Sequence, residues 1–126
     1  MKIYTSYYSK VSKVDTSDFL LLQVSALKPD WFDKPVVEMP SVYPPWKLIQ
    51  NFKSGFVTEA EYIQTYGRQL KQLGNNVLDD ITMLCEMNGK DKCILLCWEA
   101  PDKFCHRKPL GEFLNCGVTE LTDEDL

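Results

Sequence analysis

The side chains best equipped for chemistry in this sequence cluster between Cys97 and Lys108. Cys97-Trp98-Glu99 is followed by Ala100-Pro101-Asp102-Lys103-Phe104 and then by Cys105-His106-Arg107-Lys108. His106 is the only histidine in the chain. Unperturbed imidazole is the side chain that titrates near neutrality, so His106 is the candidate for proton transfer. Cys105 stands next to it, close to Arg107 and to an expected helix start, surroundings that lower a thiol pKa and expose a thiolate. Glu99, across the loop, can act as base, as nucleophile or as partner to Arg107. Arg107 offers a planar fork of donors for phosphate or carboxylate, and Lys103 and Lys108 make the patch locally basic. Free amides at the helix start favour an anion as well. On these grounds Glu99, Cys105 and His106 are the catalytic candidates, and Arg107, Lys103, Lys108 and Cys97 the ligand-binding ones.

Each residue also has a plain structural reading. Cys97 ends an apolar run and fits ordinary packing. Glu99 and Arg107 fit a salt bridge that ties the loop to the helix, and His106 fits a helix cap. A zinc site from Cys93, Cys97, Cys105 and His106 lacks the paired C-x-x-C spacing of structural zinc, so no metal is assigned. No cofactor is identified.

The rest of the chain has to position this stretch. Its 126 residues, 44% of them apolar, fit one domain with one ordinary core spanning residues 1–126. The net charge of −4 repels a nucleic-acid backbone and argues against nonspecific binding to it. No apolar run is long enough for a membrane span, and the first residues lack the apolar block of a secretion signal, so a cytoplasmic location is expected. The five cysteines are an odd set without the spacing of a disulfide framework, and reduced thiols are expected.

Lys2 to Tyr8 and Phe19 to Val24 read as strands. The polar link between them is short for a helical crossover, so either its helix is vestigial or the two strands do not pair directly. Five prolines between Pro29 and Pro45, interleaved with aromatics, make a long structured loop. Pro45 opens a short helix that carries Trp46, Ile49 and Phe52 inward and stops at Gly55. Thr58-Glu59-Ala60-Glu61 is a capping box. The helix it starts has Ile63, Tyr66, Leu70 and Leu73 on one face and Gly74 at its end. Tyr62 and Tyr66 read as core rather than as a stacking platform, and the proline-tryptophan loop as either a lid or a plug. A second helix runs from Asn76 to Asn88-Gly89 and buries Val77, Leu78, Ile81, Leu84 and Cys85. The unbroken run Cys93 to Trp98 is a strand covered on both faces, as in a parallel sheet. A helix from about Pro109 to Asn115 and an edge strand from Val118 to Leu121 complete an α/β fold, a mostly parallel central sheet flanked by helices in a Rossmann-like sandwich. Ligands in such folds bind at the carboxyl ends of the strands, which is where Cys97 and Glu99 fall.

The run Leu95-Leu96-Cys97-Trp98-Glu99 with Cys105-His106-Arg107 resembles the signature of domain-of-unknown-function family 488, with its YeaO-like branch. Pro40-Ser41 ahead of Trp46, Tyr62 through Leu70, and Lys2 to Ser9 resemble its middle region and first strand. The likeness is strongest over residues 94–114. It implies a compact α/β sandwich with the Cys-His-Arg segment at the carboxyl edge of the sheet, and it implies no reaction. The expected function is binding of a small anionic ligand, a nucleotide or phosphate ester, with acid/base or thiol chemistry. The alternative is a sequestering or protein-interaction module in which these residues are structural.

Overall fold

The computed structural model describes residues 1–100 and 102–126. Pro101, which the sequence puts in the loop after the central strand, lies outside them. The apolar run near the C-terminal third forms β4, Lys92–Cys97, and every residue from Cys93 to Cys97 is buried. Such a run suits a strand with both faces covered, and β4 is the middle of a five-stranded sheet of order β3-β2-β4-β1-β5. Here β1 is Lys2–Tyr7, β2 Leu20–Gln23, β3 Val37–Glu38 and β5 Thr119–Glu120. All pairings are parallel.

The short link between the first two strands has the effect that the sequence left open between two outcomes, and both occur. Its helix α1, Tyr8–Val11, is a single turn. β1 and β2 do not pair with each other; each pairs with β4, which lies between them. The proline-rich loop also contains the two-residue strand β3. It is an edge strand, flanked by Pro35 and Pro40, the position in a sheet that tolerates missing amide donors.

Alternation along β4 divides the core. Cys93 and Leu95 face one layer, with Leu48 of α2 (Trp46–Lys53), Tyr62, Tyr66 and Leu70 of α3 (Glu59–Leu73) and Val77, Ile81 and Cys85 of α4 (Asn76–Met87). Leu110 and Leu114 of α5 (Arg107–Leu114) belong to the same layer. Ile94 and Leu96 face the other, with Tyr8 and Val11 of α1, Phe32 from the loop and Leu121. The helical covering is thus unequal. α2 to α5 share one face, and the one-turn α1, the loop and the C-terminal segment cover the other. Gly111 allows α5 to lie close to the β5 edge, where an added Cβ would stand 3.0 Å from Val118 Cγ1.

The capping box forms as expected. Thr58 Oγ1 accepts from the Glu61 amide and Glu61 Oε1 from the Thr58 amide. Gly74 ends α3 at φ +60. The helix is turned slightly from the expected face, because Tyr62 is buried with Tyr66 and Leu70 while Ile63 is 40% exposed. A stripe read one residue off still has helical spacing, and only the position of the sheet fixes its rotation. Trp46 is likewise not inward. It is 58% exposed, and Leu48 takes the buried position of α2. No helix among the described residues is long and apolar enough to cross a membrane.

Candidate functional site

β4 delivers Cys97 to the carboxyl edge of the sheet, and the start of α5 returns Cys105 and His106 to the same place. The three side chains converge, with their sulfur and ring nitrogen atoms within 4.8 Å of one another. Cys97 and Cys105 are joined as a disulfide. The expectation of five reduced thiols is therefore corrected for this pair, while Cys85, Cys93 and Cys116 are free. The reason is tertiary. A strand end and a helix start eight residues on meet only when the loop folds back over the sheet. Cys93, the fourth residue weighed for zinc, sits at the other end of β4 beside Cys85, and burial pushes its thiol up.

His106 is buried, and its Nε2 lies 2.6 Å from the Val24 carbonyl oxygen. A carbonyl only accepts, so Nε2 carries the proton and donates it there. Nδ1 keeps its lone pair and lies 3.5 Å from Cys97 Sγ and 3.9 Å from Cys105 Sγ, and Cys97 Sγ sits beside the ring, 3.9 Å from Nε2 as well. Burial pushes the imidazole down to about 4, with the nearby Arg107 charge acting in the same direction and the Val24 bond opposing it. The ring is neutral at neutral pH, which removes the match to neutrality that a general acid or base needs. Although His106 stands at the N-cap position, its side chain does not cap α5. It packs edge-on against Tyr66, whose hydroxyl donates to the Val42 carbonyl.

Arg107 is not in the hollow. Its Nε and Nη2 donate to the two carboxylate oxygens of Glu120 at 3.1 and 3.0 Å, and Nη1 donates to the Glu99 carbonyl. The guanidinium also lies 5.8 Å from the centre of the Tyr7 ring. The predicted Glu99–Arg107 bridge is corrected on two counts: the carboxylate partner is Glu120 of β5, and Glu99 contributes only its backbone oxygen. Glu120 Oε1 also accepts from Thr5 Oγ1 at 2.7 Å. One side chain so ties together the carboxyl ends of β1, β4 and β5. Lys108 is exposed and outside the hollow, and its amide donates to the Cys105 carbonyl. Pro109, next along, has no amide to offer, so the helix start is poorer in free donors than a typical one.

What remains is a cavity of about 550 Å³ at the carboxyl edge, to which Cys97, Glu99, Lys103, Cys105 and His106 all contribute. Several of its residues were not singled out from sequence. Phe52, Tyr62 and Phe104 form an edge-to-face cluster with ring centres 5.0 to 5.3 Å apart, and Trp46 and Trp98 add two half-exposed rings. Lys53 is a second cation at the cavity, and Ser25 also lines it. Trp98 and Phe104 were within reach of sequence reading, being aromatics inside the chemically loaded stretch. Lys53 carries no such signal, because α2 reaches the site only through packing. Trp31 and Trp46 do not seal the group in, being 57% and 58% exposed. A second hollow of about 440 Å³ lies near Thr16, Lys34 and Lys90 and holds neither thiol nor imidazole.

Fold and site together define the class: a parallel α/β protein with a Cys/Cys/His cluster opening into an aromatic cavity at the carboxyl edge of its sheet. No family model, curated protein or solved structure matches the chain.

Proposed function

We propose that this protein binds a small anionic ligand with a flat ring, such as a nucleotide or related phosphate ester, in the cavity above Cys97, Cys105 and His106, with thiol chemistry available at the cysteine pair. The observation that carries this reading is the cavity itself: about 550 Å³, walled by aromatic rings and bearing Lys53 and Lys103. That volume is in the range of small-molecule sites, which combine apolar walls with a few placed polar groups. The rings suit a planar base, and the two ammonium groups suit a phosphate. The cationic role passes from Arg107, which is occupied by Glu120, to these lysines. Glu99 is the remaining proton acceptor at the cavity.

The kinship with family 488 belongs to the same proposal, resting on residues 94–114. So does a cytoplasmic location: there, a disulfide at a ligand site is a transient, chemically active pair rather than a structural staple.

Thermal-shift screening of nucleotides and simple phosphates, on reduced and on oxidised protein, tests the reading. At least one compound should raise the melting temperature, and Lys103→Ala should weaken its binding about tenfold, equivalent to about 1.4 kcal/mol. Absence of any shift in both redox states would remove the proposal.

A second reading, a binding or interaction module without turnover, is favoured at one point. Arg107 and His106 are both engaged by internal bonds, as structural braces would be. A ligand recovered unchanged by mass analysis after long incubation supports that module, and a converted one excludes it.

A further inference from the structure

We propose that the reduced chain holds one thiophilic divalent cation of the zinc class between Cys97 Sγ, Cys105 Sγ and His106 Nδ1, with its fourth position open to the cavity, and that forming the Cys97–Cys105 disulfide expels it. The site goes beyond anion binding and stands on separate observations.

The donor set is the first of these. Two thiolates and one imidazole are what borderline-soft cations prefer, and Cys97, Cys105 and His106 are the only such convergent group among the described residues. The orientation of the histidine is the second. Metal-bound imidazoles usually donate their other N–H to a carboxylate or backbone carbonyl, which fixes the ring and its tautomer. The Val24 carbonyl does this to Nε2 and leaves Nδ1 unprotonated, 3.5 Å from Cys97 Sγ and 3.9 Å from Cys105 Sγ, with Cys97 Sγ beside the ring at 3.9 Å from Nε2. On a tetrahedral ion with bonds of about 2.3 Å to sulfur and 2.0 Å to nitrogen, nitrogen and sulfur ligands stand about 3.5 Å apart. The nitrogen-to-sulfur separations already match, and once reduction frees the two sulfurs they have to swing toward the Nδ1 lone pair to share the ion. Third, the Cα atoms of Cys97 and Cys105 are 7.0 Å apart. That is just past the usual disulfide span of roughly 4.4–6.8 Å, and two thiolates sharing one ion are not held to that limit.

Three protein ligands leave a tetrahedral ion one position short, the arrangement of reactive rather than closed structural sites. All three residues line the cavity, so this position takes water or a donor atom from whatever the cavity holds. The redox step balances simply. A phosphine reductant gives two electrons to the disulfide and leaves as its oxide with oxygen from water, and the sulfurs take up two protons as thiols. The cation then displaces those two protons. In reverse, hydrogen peroxide accepts two electrons from the two thiolates and, with two protons, leaves as two waters while the cation departs.

Cobalt(II) titration of the full chain, stripped of metal with a chelator and reduced with a phosphine, reads the site directly. The expected result is one cobalt per chain, with a thiolate-to-cobalt charge-transfer band and the visible bands of a tetrahedral ion. Zinc should displace the cobalt. The spectrum should be absent from the oxidised chain and from reduced Cys105→Ser, and should persist in Cys116→Ser, whose lost thiol is exposed and free. Peroxide added to the zinc-loaded wild type should release zinc to a colorimetric indicator. The oxidised and reduced wild-type comparison needs no variant to fold. A reduced chain with five reactive thiols and no charge-transfer band overturns the proposal, as does a band of equal strength in folded Cys105→Ser. Either failure leaves the nucleotide screen untouched, since that binding is assigned to the aromatic walls and to Lys53 and Lys103 and not to the cation.

Discussion

Arg107 shows how the same side chain reads differently before and after folding. Next to a histidine and a thiol it has the chemistry of an anion-binding residue. In the folded chain its side chain is 4% exposed and its fork is filled by the Glu120 carboxylate and the Glu99 carbonyl. Its partner Glu120 is 35% exposed, so the carboxylate left behind by removing Arg107 is partly solvated and the cost is about 2 kcal/mol. Arg107→Ala should lower the unfolding free energy by that order in urea titration, and Arg107→Lys should not restore it, since an ammonium cannot span both carboxylate oxygens. A normal midpoint in Arg107→Ala would show that the clamp contributes nothing. His106 tells a similar story: its isolation as the only histidine pointed to proton transfer, and its burial against Val24 and Tyr66 makes it a neutral, fixed ring instead.

Among the elements, α3 has the clearest local encoding, and it matters to the site because it carries Tyr62 to the cavity and Tyr66 to His106. The capping box was legible from four residues because its hydrogen bonds are all within one turn. Thr58→Ala removes an acceptor for a free helix amide and should cost about 1 kcal/mol in chemical denaturation. The Glu61 carboxyl is held below its ordinary value by the Thr58 amide first, and by the Thr58 side chain next. A carboxylate lowered in the folded state stabilises above its unfolded pKa and loses that contribution as pH falls through the folded one. The midpoint difference between wild type and Glu61→Gln should therefore be present at neutral pH and disappear in acid. A difference that persists in acid would assign it to something other than the charge. The one-turn α1 was one of the two outcomes left open by the short link between Tyr7 and Leu20, whereas the placement of β4 between the first two strands came only from the folded chain.

At the scale of the molecule, β4 is the hinge of the design. It is buried on both faces, pairs with both β1 and β2, and ends in the cysteine of the site. Leu95 is fully buried in the helical layer, so Leu95→Ala should lower the unfolding free energy by about 3 kcal/mol through lost burial and a residual cavity. A loss below about 1 kcal/mol would mean that the layer collapses around the vacancy. The unequal covering also explains where the cavity lies. With α2, α3 and α5 on one face, their rings and lysine are available to surround the carboxyl edge on that side.

Periodicity and punctuation alone determined four of the five strands, the main helices, the mostly parallel sheet and the stretch that carries chemistry, because those depend on neighbours a few residues apart, while β3 lay inside the expected loop. The loop from residue 98 to 104, the helix start and the strand end were all readable, and Cys97, Cys105 and His106 were singled out. Tertiary structure decided what they do. That His106 lies beside two sulfurs, that Glu120 rather than Glu99 neutralises Arg107, and that Lys53 and Phe52 join the cavity all depend on segments brought together from distant parts of the chain. Side-chain direction and partner choice at such meetings are set by packing across the sheet, which no local pattern encodes.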